Sequence, residues 1–334
     1  MKAIRFTRFG EPTEVLELQE VPIPEAGPGQ VRVRMIASPI NPSDVLVVRG
    51  EYGRLPQLPA TPGFEGVGVV EAAGAGLLGR LRLGRRVAVL NGAGGNWQEC
   101  VVVPAKQVVP IAKDIADEQA ASFFVNPASA LVMTQDILKI RPGTWLMQTA
   151  AGSALGRMII RLGKATGFRT INLVRRPEQV DELHHLGADA AICTVQESIA
   201  ERTQAITGRK GVPFALDAVG GTTGTEVLRA LAPGGRLLVY GTLSGQPITC
   251  DPRVLIAGDK RVEGFWLSHW VRKQSTLTML RLFRRIRRLM ASGILTTDVA
   301  ASFPMEEIQP AVRQAEMPGR AGKILLRMPM RMDI

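Results

Sequence analysis

The chain has 334 residues, 46% of them hydrophobic and 21% charged, with a formal net charge of +11. That balance excludes a disordered or fibrous polypeptide and gives length for about two domains. No apolar run reaches the ~18 residues of a membrane-spanning helix, and the three cysteines, Cys100, Cys193 and Cys250, form no C-x-x-C pair. The start, Met1-Lys2-Ala3-Ile4-Arg5-Phe6, reads as a strand and not as a targeting segment. The cytoplasm is the expected location, with no membrane partner. The positive charge is spread along the chain and aromatics make up 5% of it, so a basic enzyme surface is expected, with no nucleic-acid partner.

Residues 1–117 are rich in Gly, Pro and Val, with frequent turn signals. Ala3–Phe6, Glu14–Glu20, Gln30–Ile36, Gly66–Glu71, Arg86–Leu90 and Cys100–Val103 read as strands of a barrel-like β domain, with no helix between them. The pattern changes at Asp117-Glu118, acids suited to a first helical turn. A second helix is predicted from Pro127 towards Ile140. Residues 118–258 then alternate strand and helix: Thr144–Thr149, a helix closing at Gly167, Thr170–Val174, a helix from Pro177 to Gly187, Ala190–Cys193, a helix over Glu197–Thr207, Pro213–Asp217, a helix over Thr222–Ala232, and Arg236–Tyr240. That alternation predicts an α/β fold with a doubly wound parallel sheet. Residues 259–334 are expected to return to the first domain. The basic run Arg281–Met290 has apolar residues at helical spacing and reads as the wet face of an amphipathic helix, with docking of an acidic carrier as the alternative.

One stretch carries chemistry. Between strand Thr144–Thr149 and the next helix lies Ala150-Ala151-Gly152-Ser153-Ala154-Leu155-Gly156. A small-residue turn opening a helix within a βαβ unit is a seat for a diphosphate. The pattern departs from G-x-G-x-x-G in having Ala154 at the middle glycine, and the methyls of Ala151 and Ala154 are expected to narrow the approach to the backbone. The following strand ends in Arg175-Arg176, where an NAD site carries an acid. Arginine suits a 2′-phosphate, so the cofactor reads as NADPH. His184 and His185 on the next helix read as surface residues.

The two-part order, Val67-Gly68-Val69-Val70, Leu186-Gly187-Ala188-Asp189 and Asp217-Ala218-Val219-Gly220-Gly221 resemble the medium-chain dehydrogenase/reductase superfamily over nearly the whole chain. The resemblance implies an N-terminal GroES-like β-barrel catalytic domain and a Rossmann domain. The superfamily's zinc enzymes carry a catalytic Cys where Asn41–Asp44 falls and a Gly-His-Glu motif where this chain has Gly63-Phe64-Glu65-Gly66. Their four-cysteine lobe falls near residues 91–100, where Cys100 stands alone. No metal is expected.

Within the zinc-free branch, Asn41-Pro42-Ser43-Asp44, the loop Gly50–Pro56, Val125-Asn126-Pro127 and Gly264-Phe265-Trp266-Leu267-Ser268-His269-Trp270 resemble the mitochondrial-type trans-2-enoyl-thioester reductases. That resemblance implies NADPH-dependent reduction of an enoyl thioester on CoA or an acyl-carrier protein, in fatty acid metabolism, by a homodimer. A quinone or small-enone reductase is the alternative, and a cofactor-binding regulatory protein with little turnover is a third reading. The resemblance to the enoyl-thioester reductases puts the catalytic acid on Tyr52 and a positioning role on Asn41. It assigns Asn126, Gly152, Ser153, Ala154, Leu155, Arg175, Arg176, Tyr240, Gly241, Thr242, Leu243, Phe265, Trp266, Leu267 and Lys323 to the cofactor. Trp266 and Trp270 are expected to wall the acyl channel.

Overall fold

The structure is a computed structural model that describes residues 1–92, 94–320 and 322–329. Two compact units emerge, Met1–Val125 with Thr296–Ile334, and Asn126–Leu295. The first unit supplies β1 (Lys2–Arg5), β2 (Glu17–Glu20), β3 (Gln30–Pro39), β4 (Glu65–Ala73), β5 (Arg86–Leu90), β6 (Cys100–Pro104) and β7 (Val108–Pro110). The second supplies β8 (Trp145–Gln148), β9 (Arg169–Val174), β10 (Ala190–Cys193), β11 (Val212–Asp217), β12 (Leu231–Val239) and β13 (Arg261–Gly264). Strands β14 (Val299–Pro304) and β15 (Lys323–Arg327) return to the first.

In the first unit the order β14-β15-β3-β4-β5-β7 is antiparallel except for the parallel pair β14 and β15, and β6 pairs with β3. Strand β3 shows why. Val31, Val33, Met35 and Ala37 are buried, while the intervening Arg32 and Arg34 face outward to share Glu71 on β4, at 2.6 and 2.5 Å. The core beneath includes Ile4, Phe6, Trp97, Met305 and Ile324. Three helices break the all-strand expectation, one of them the single turn Leu77–Arg80 between β4 and β5. Pro12–Val15 is helical, so β2 begins at Glu17. Pro42–Arg49 is a helix whose consecutive Val45-Leu46-Val47-Val48 hides any helical period.

The second unit's sheet runs β10-β9-β8-β11-β12-β13, all parallel. Counted from β8, that is 3-2-1-4-5-6, a doubly wound sheet whose order reverses between β8 and β11. The helix Ala154–Thr166 buries Leu155, Met158, Ile159 and Leu162 against it. The predicted domain limits need correction. Asp117 and Glu118 stay with the first unit, paired to Arg86 on β5 and Arg327 on β15. Residues 259–295 stay with the second, because β13 extends the parallel sheet beside β12. The return therefore begins at Thr296. The helix predicted from Pro127 spans Val125–Leu131 and widens into a π-helical turn over Val132–Ile137. The helix predicted over Thr222–Ala232 spans Gly221–Ala230. The basic run lies on the helix Thr276–Ala291, which buries Leu282, Ile286 and Met290 and leaves Arg281, Arg284, Arg287 and Arg288 exposed.

Candidate active site

In the first unit three ionisable side chains are sealed from water around Asn41. Asn41 caps the helix Pro42–Arg49, and Asp44, in that helix's first turn, accepts the Asn41 N–H at 2.8 Å. The other Asp44 oxygen accepts the Phe64 N–H at 3.0 Å. Glu65 opens β4 and accepts the Asn41 side-chain amide at 3.3 Å and the N–H groups of Phe124 and Val125 at 3.0 and 2.9 Å. Lys323 opens β15 and donates its ammonium to the Asn41 amide oxygen. Asn41 is thus gripped at both ends, and its orientation is fixed.

Burying charge is costly unless it is paired and hydrogen-bonded. Burial pushes the Asp44 carboxyl up to about 7, against the pull of the Asn41 N–H and Lys323. Burial also pushes Glu65 up, with Lys323 opposing. Lys323 is pushed down to about 8 by burial, although Glu65 favours its charged form. Two carboxyls share one ammonium, so the cluster is neutral when one carboxyl keeps its proton.

Tyr52 sits in the loop after this helix. The helix closes at Gly50, whose φ of 80° favours glycine and turns the chain outward. The Tyr52 ring is half-buried and meets the Phe64 ring at 5.2 Å between centroids, tilted by 42°. Asp44 holds the Phe64 backbone, so the support under Tyr52 traces back to the buried cluster.

In the second unit the sequence-predicted positions converge on the C-terminal ends of parallel strands. Gly152–Leu155 follow β8, Arg175 and Arg176 follow β9, Tyr240–Leu243 follow β12, and Phe265–Leu267 follow β13. Asn126 lies in the first turn of the helix Val125–Leu131. Ser153 caps the helix after β8, its hydroxyl accepting the Gly156 N–H at 3.1 Å. Gly156 lets that helix press on the turn, since a Cβ there would lie 2.5 Å from the Ala151 carbonyl oxygen. Among the described residues the N–H groups of Ala154 and Leu155 find no acceptor, which leaves an anion-binding helix end. The Ala151 methyl is buried in a cluster with Ile160, Val174 and Leu183, while Ala154, at the start of the helix, is half-buried.

Arg175 and Arg176 are exposed, as a phosphate-reading pair needs. Trp266 and Trp270 are half-buried, unlike Trp97, which is core. Lys323, also assigned to the cofactor, lies in the first unit, where it is 3% exposed and its ammonium turns to Asn41.

Sequence reasoning gave no role to Asp44, Glu65, Thr149 or Asp217. The Thr149 hydroxyl donates to Asp217 at 2.7 Å, and Asp217 accepts the N–H groups of Val219 and Gly220, each at 2.9 Å. Asp217 thereby shapes the turn between β11 and its helix. The signal was there: an acid that ends an apolar strand and precedes Gly-Gly. Among the described residues the sealed Tyr240 hydroxyl has no hydrogen-bond partner, and burial, then Asp217, raises its pKa. Cys100 and Cys193 are buried, and the Cys100 thiol is pushed up to about 11 by burial and Glu71, which makes it inert. His184 and His185 are exposed.

Two family descriptions match the chain: "Alcohol dehydrogenase GroES-like domain" over residues 27–113 and "Zinc-binding dehydrogenase" over residues 154–285. The chain is 35% identical over 333 residues to the mitochondrial enoyl-[acyl-carrier-protein] reductase of Rattus norvegicus, covering 98% of this chain and 89% of that one. The Homo sapiens protein of the same name is 34% identical over 332 residues, with the same coverage. The solved Escherichia coli quinone oxidoreductase complexed with NADPH superposes with a TM-score of 0.91 at 26% identity, covering 98% of this chain and all, 100%, of that one.

The zinc in one family's description has no fitting donors here. Lys323 occupies the Asn41 oxygen, Phe64 offers no ligand atom, and among the described residues no group of three His, Cys, Asp or Glu side chains could hold a metal ion. A dinucleotide does fit: the free helix end after β8, the close approach at Gly156 and the exposed arginine pair match its diphosphate and its 2′-phosphate. By descent and by this fold, the chain belongs to the medium-chain dehydrogenase/reductase family, as an NADPH-dependent oxidoreductase.

Proposed function

We propose that the chain reduces the carbon–carbon double bond of a 2-enoyl thioester carried on CoA or an acyl-carrier protein. The observation that carries this reading is the ordered Tyr52 ring on Phe64, beside the buried Asn41 cluster, in a chain 35% identical to a protein named enoyl-[acyl-carrier-protein] reductase. The turn Gly152–Leu155, Arg175 and Arg176, and the segments Tyr240–Leu243 and Phe265–Leu267 would hold NADPH, with Asn126 as a further contact. When bound, NADPH would supply hydride to the β-carbon, which conjugation to the thioester carbonyl makes electrophilic. The electron pair passes to the carbonyl oxygen as an enolate. Tyr52 returns a proton to the α-carbon, and solvent reprotonates the phenol. A phenol, neutral at pH 7, can act as this acid without a metal. Asn41 fixes the loop from which Tyr52 acts, and Trp266 and Trp270 wall the acyl chain.

A quinone or small-enone reductase is the second reading, favoured by the likeness to the E. coli quinone oxidoreductase. The test follows NADPH loss with crotonyl-CoA, a longer enoyl-CoA and a benzoquinone. Turnover of both thioesters supports the first reading. Quinone turnover without thioester turnover overturns it in favour of the second. NADPH binding with turnover of none points to a cofactor-binding protein.

A further inference from the structure

We propose that the connection between β4 and β5, residues 74–85, is a docking surface for an anionic phospholipid membrane. The segment reads Gly74-Ala75-Gly76-Leu77-Leu78-Gly79-Arg80-Leu81-Arg82-Leu83-Gly84-Arg85. Its four leucines are exposed: Leu77 by 76%, Leu78 by 42%, Leu81 by 62% and Leu83 by 46%. Four of the thirteen exposed large hydrophobics among the described residues fall within these seven positions. Soluble surfaces scatter such residues singly, so their concentration calls for a cause.

The geometry explains how they are presented. Leu77–Arg80 form one helical turn, and within that turn Gly79 is the buried residue. A Cβ at Gly79 would meet the Ala73 and Val31 side chains at 3.2 and 3.4 Å, so the turn lies flat on β3 and β4 through its backbone. Every leucine is thereby sent outward.

The charge around them has one sign. Residues 72–98 contain no Asp or Glu. The nearest acids that pair do so elsewhere: Glu71 with Arg32 and Arg34, and Asp117 with Arg86. Among the described residues Arg80, Arg82 and Arg85 have no ion-pair partner. Among the described residues the Arg82 Nε, a sealed donor, has no hydrogen-bond partner. The exposed Lys106 lies on the neighbouring turn Ala105–Gln107, which packs against Leu77–Arg80. Aliphatic side chains protruding among unpaired guanidinium groups suit a headgroup boundary, where leucines enter the acyl region and arginines meet phosphates. An acidic protein would satisfy the arginines but leave four protruding leucines needing pockets of their own. Among the described residues no helix is long and apolar enough to cross a membrane, and a peripheral contact needs no span.

The test is flotation of the full chain with vesicles of phosphatidylcholine alone or mixed with about one quarter phosphatidylglycerol. The wild-type chain should partition to the anionic vesicles roughly tenfold more than to the neutral ones, and raising salt from about 0.05 to about 0.3 M should weaken this. Leu77→Ser with Leu81→Ser, and separately Arg80→Gln with Arg85→Gln, should each reduce binding roughly tenfold with unchanged circular dichroism. Arg281→Gln with Arg284→Gln, on the other arginine-rich surface, should leave it unchanged. A fluorophore on Leu77→Cys should shift to the blue on anionic vesicles. The proposal is overturned by no binding to anionic vesicles, by equal binding to both kinds, or by an equal loss in the Arg281 and Arg284 variant, which would mean diffuse charge. It is overturned equally if the leucine variant changes self-association, or capture of an acidic protein, and not vesicle binding.

Discussion

The two units treat charge in opposite ways. In the first, Asp44, Glu65 and Lys323 are each 3% exposed or less and bonded to Asn41 or to backbone N–H groups. In the second, Arg175 and Arg176 stand exposed at the end of β9. Buried charges hold geometry, because each lost partner leaves an uncompensated charge in a poor solvent. Exposed charges are cheap to keep, and a guanidinium at a strand end can meet an anionic ligand. The first arrangement braces the start of a helix and of β4; the second, on the proposed function, reads the cofactor's 2′-phosphate.

Breaking the buried side should have the largest effect. Lys323→Met leaves two carboxyls without a cation and should lower stability by about 3–5 kcal/mol, read from urea unfolding. Adding Glu65→Leu should recover part of that loss, and no recovery would mean that the two do not act as a pair. The cluster should also shape the pH dependence. Folded Asp44 keeps its proton up to about 7, whereas its unfolded value is 3.8, so the folded chain binds the extra proton and Asp44's contribution to stability falls as pH rises between them. Lys323 acts inversely: it loses its proton at about 8 when folded and at 10.5 when unfolded, so its contribution rises with pH across that window. Unfolding free energies at pH 5 and pH 7 should show the wild type losing ground to Asp44→Asn, and a constant difference would contradict the assigned direction.

On the exposed side, Arg175→Ala with Arg176→Ala should leave stability within about 0.5 kcal/mol yet raise the KM for NADPH roughly 10- to 100-fold. The KM for NADH should stay put, and a retained preference for NADPH would remove these residues from the phosphate site. A smaller effect is expected between the two extremes. Phe64→Ala removes the ring under Tyr52 and should slow turnover by roughly 2- to 10-fold, the scale of one aromatic pair. The loss should fall on kcat, with KM for NADPH unchanged.

Much of the second unit was legible in sequence, because its strands and helices alternate in local order, and the positions assigned to the cofactor follow its strand ends. The first unit's cluster was not. Lys323 and Asn41 are 282 residues apart, and nothing local in Lys323-Ile324-Leu325-Leu326 names a partner. Glu65 was visible as an acid where a metal-binding motif lacked its histidine, but its hydrogen bonds come from Phe124 and Val125, beyond any motif. The boundary set at 259 failed for a related reason. Arg261-Val262-Glu263-Gly264 alternates like a barrel strand, and its place as the edge of the parallel sheet depends on β12.

The central claim is that Tyr52 is the acid in reduction of an enoyl thioester. The most direct measurement compares wild type with Tyr52→Phe, under saturating NADPH, for the rate of crotonyl-CoA reduction. The phenylalanine keeps the ring on Phe64 and removes the proton, so the rate should fall about 100-fold or more while NADPH affinity holds. An unchanged rate with crotonyl-CoA would contradict the account.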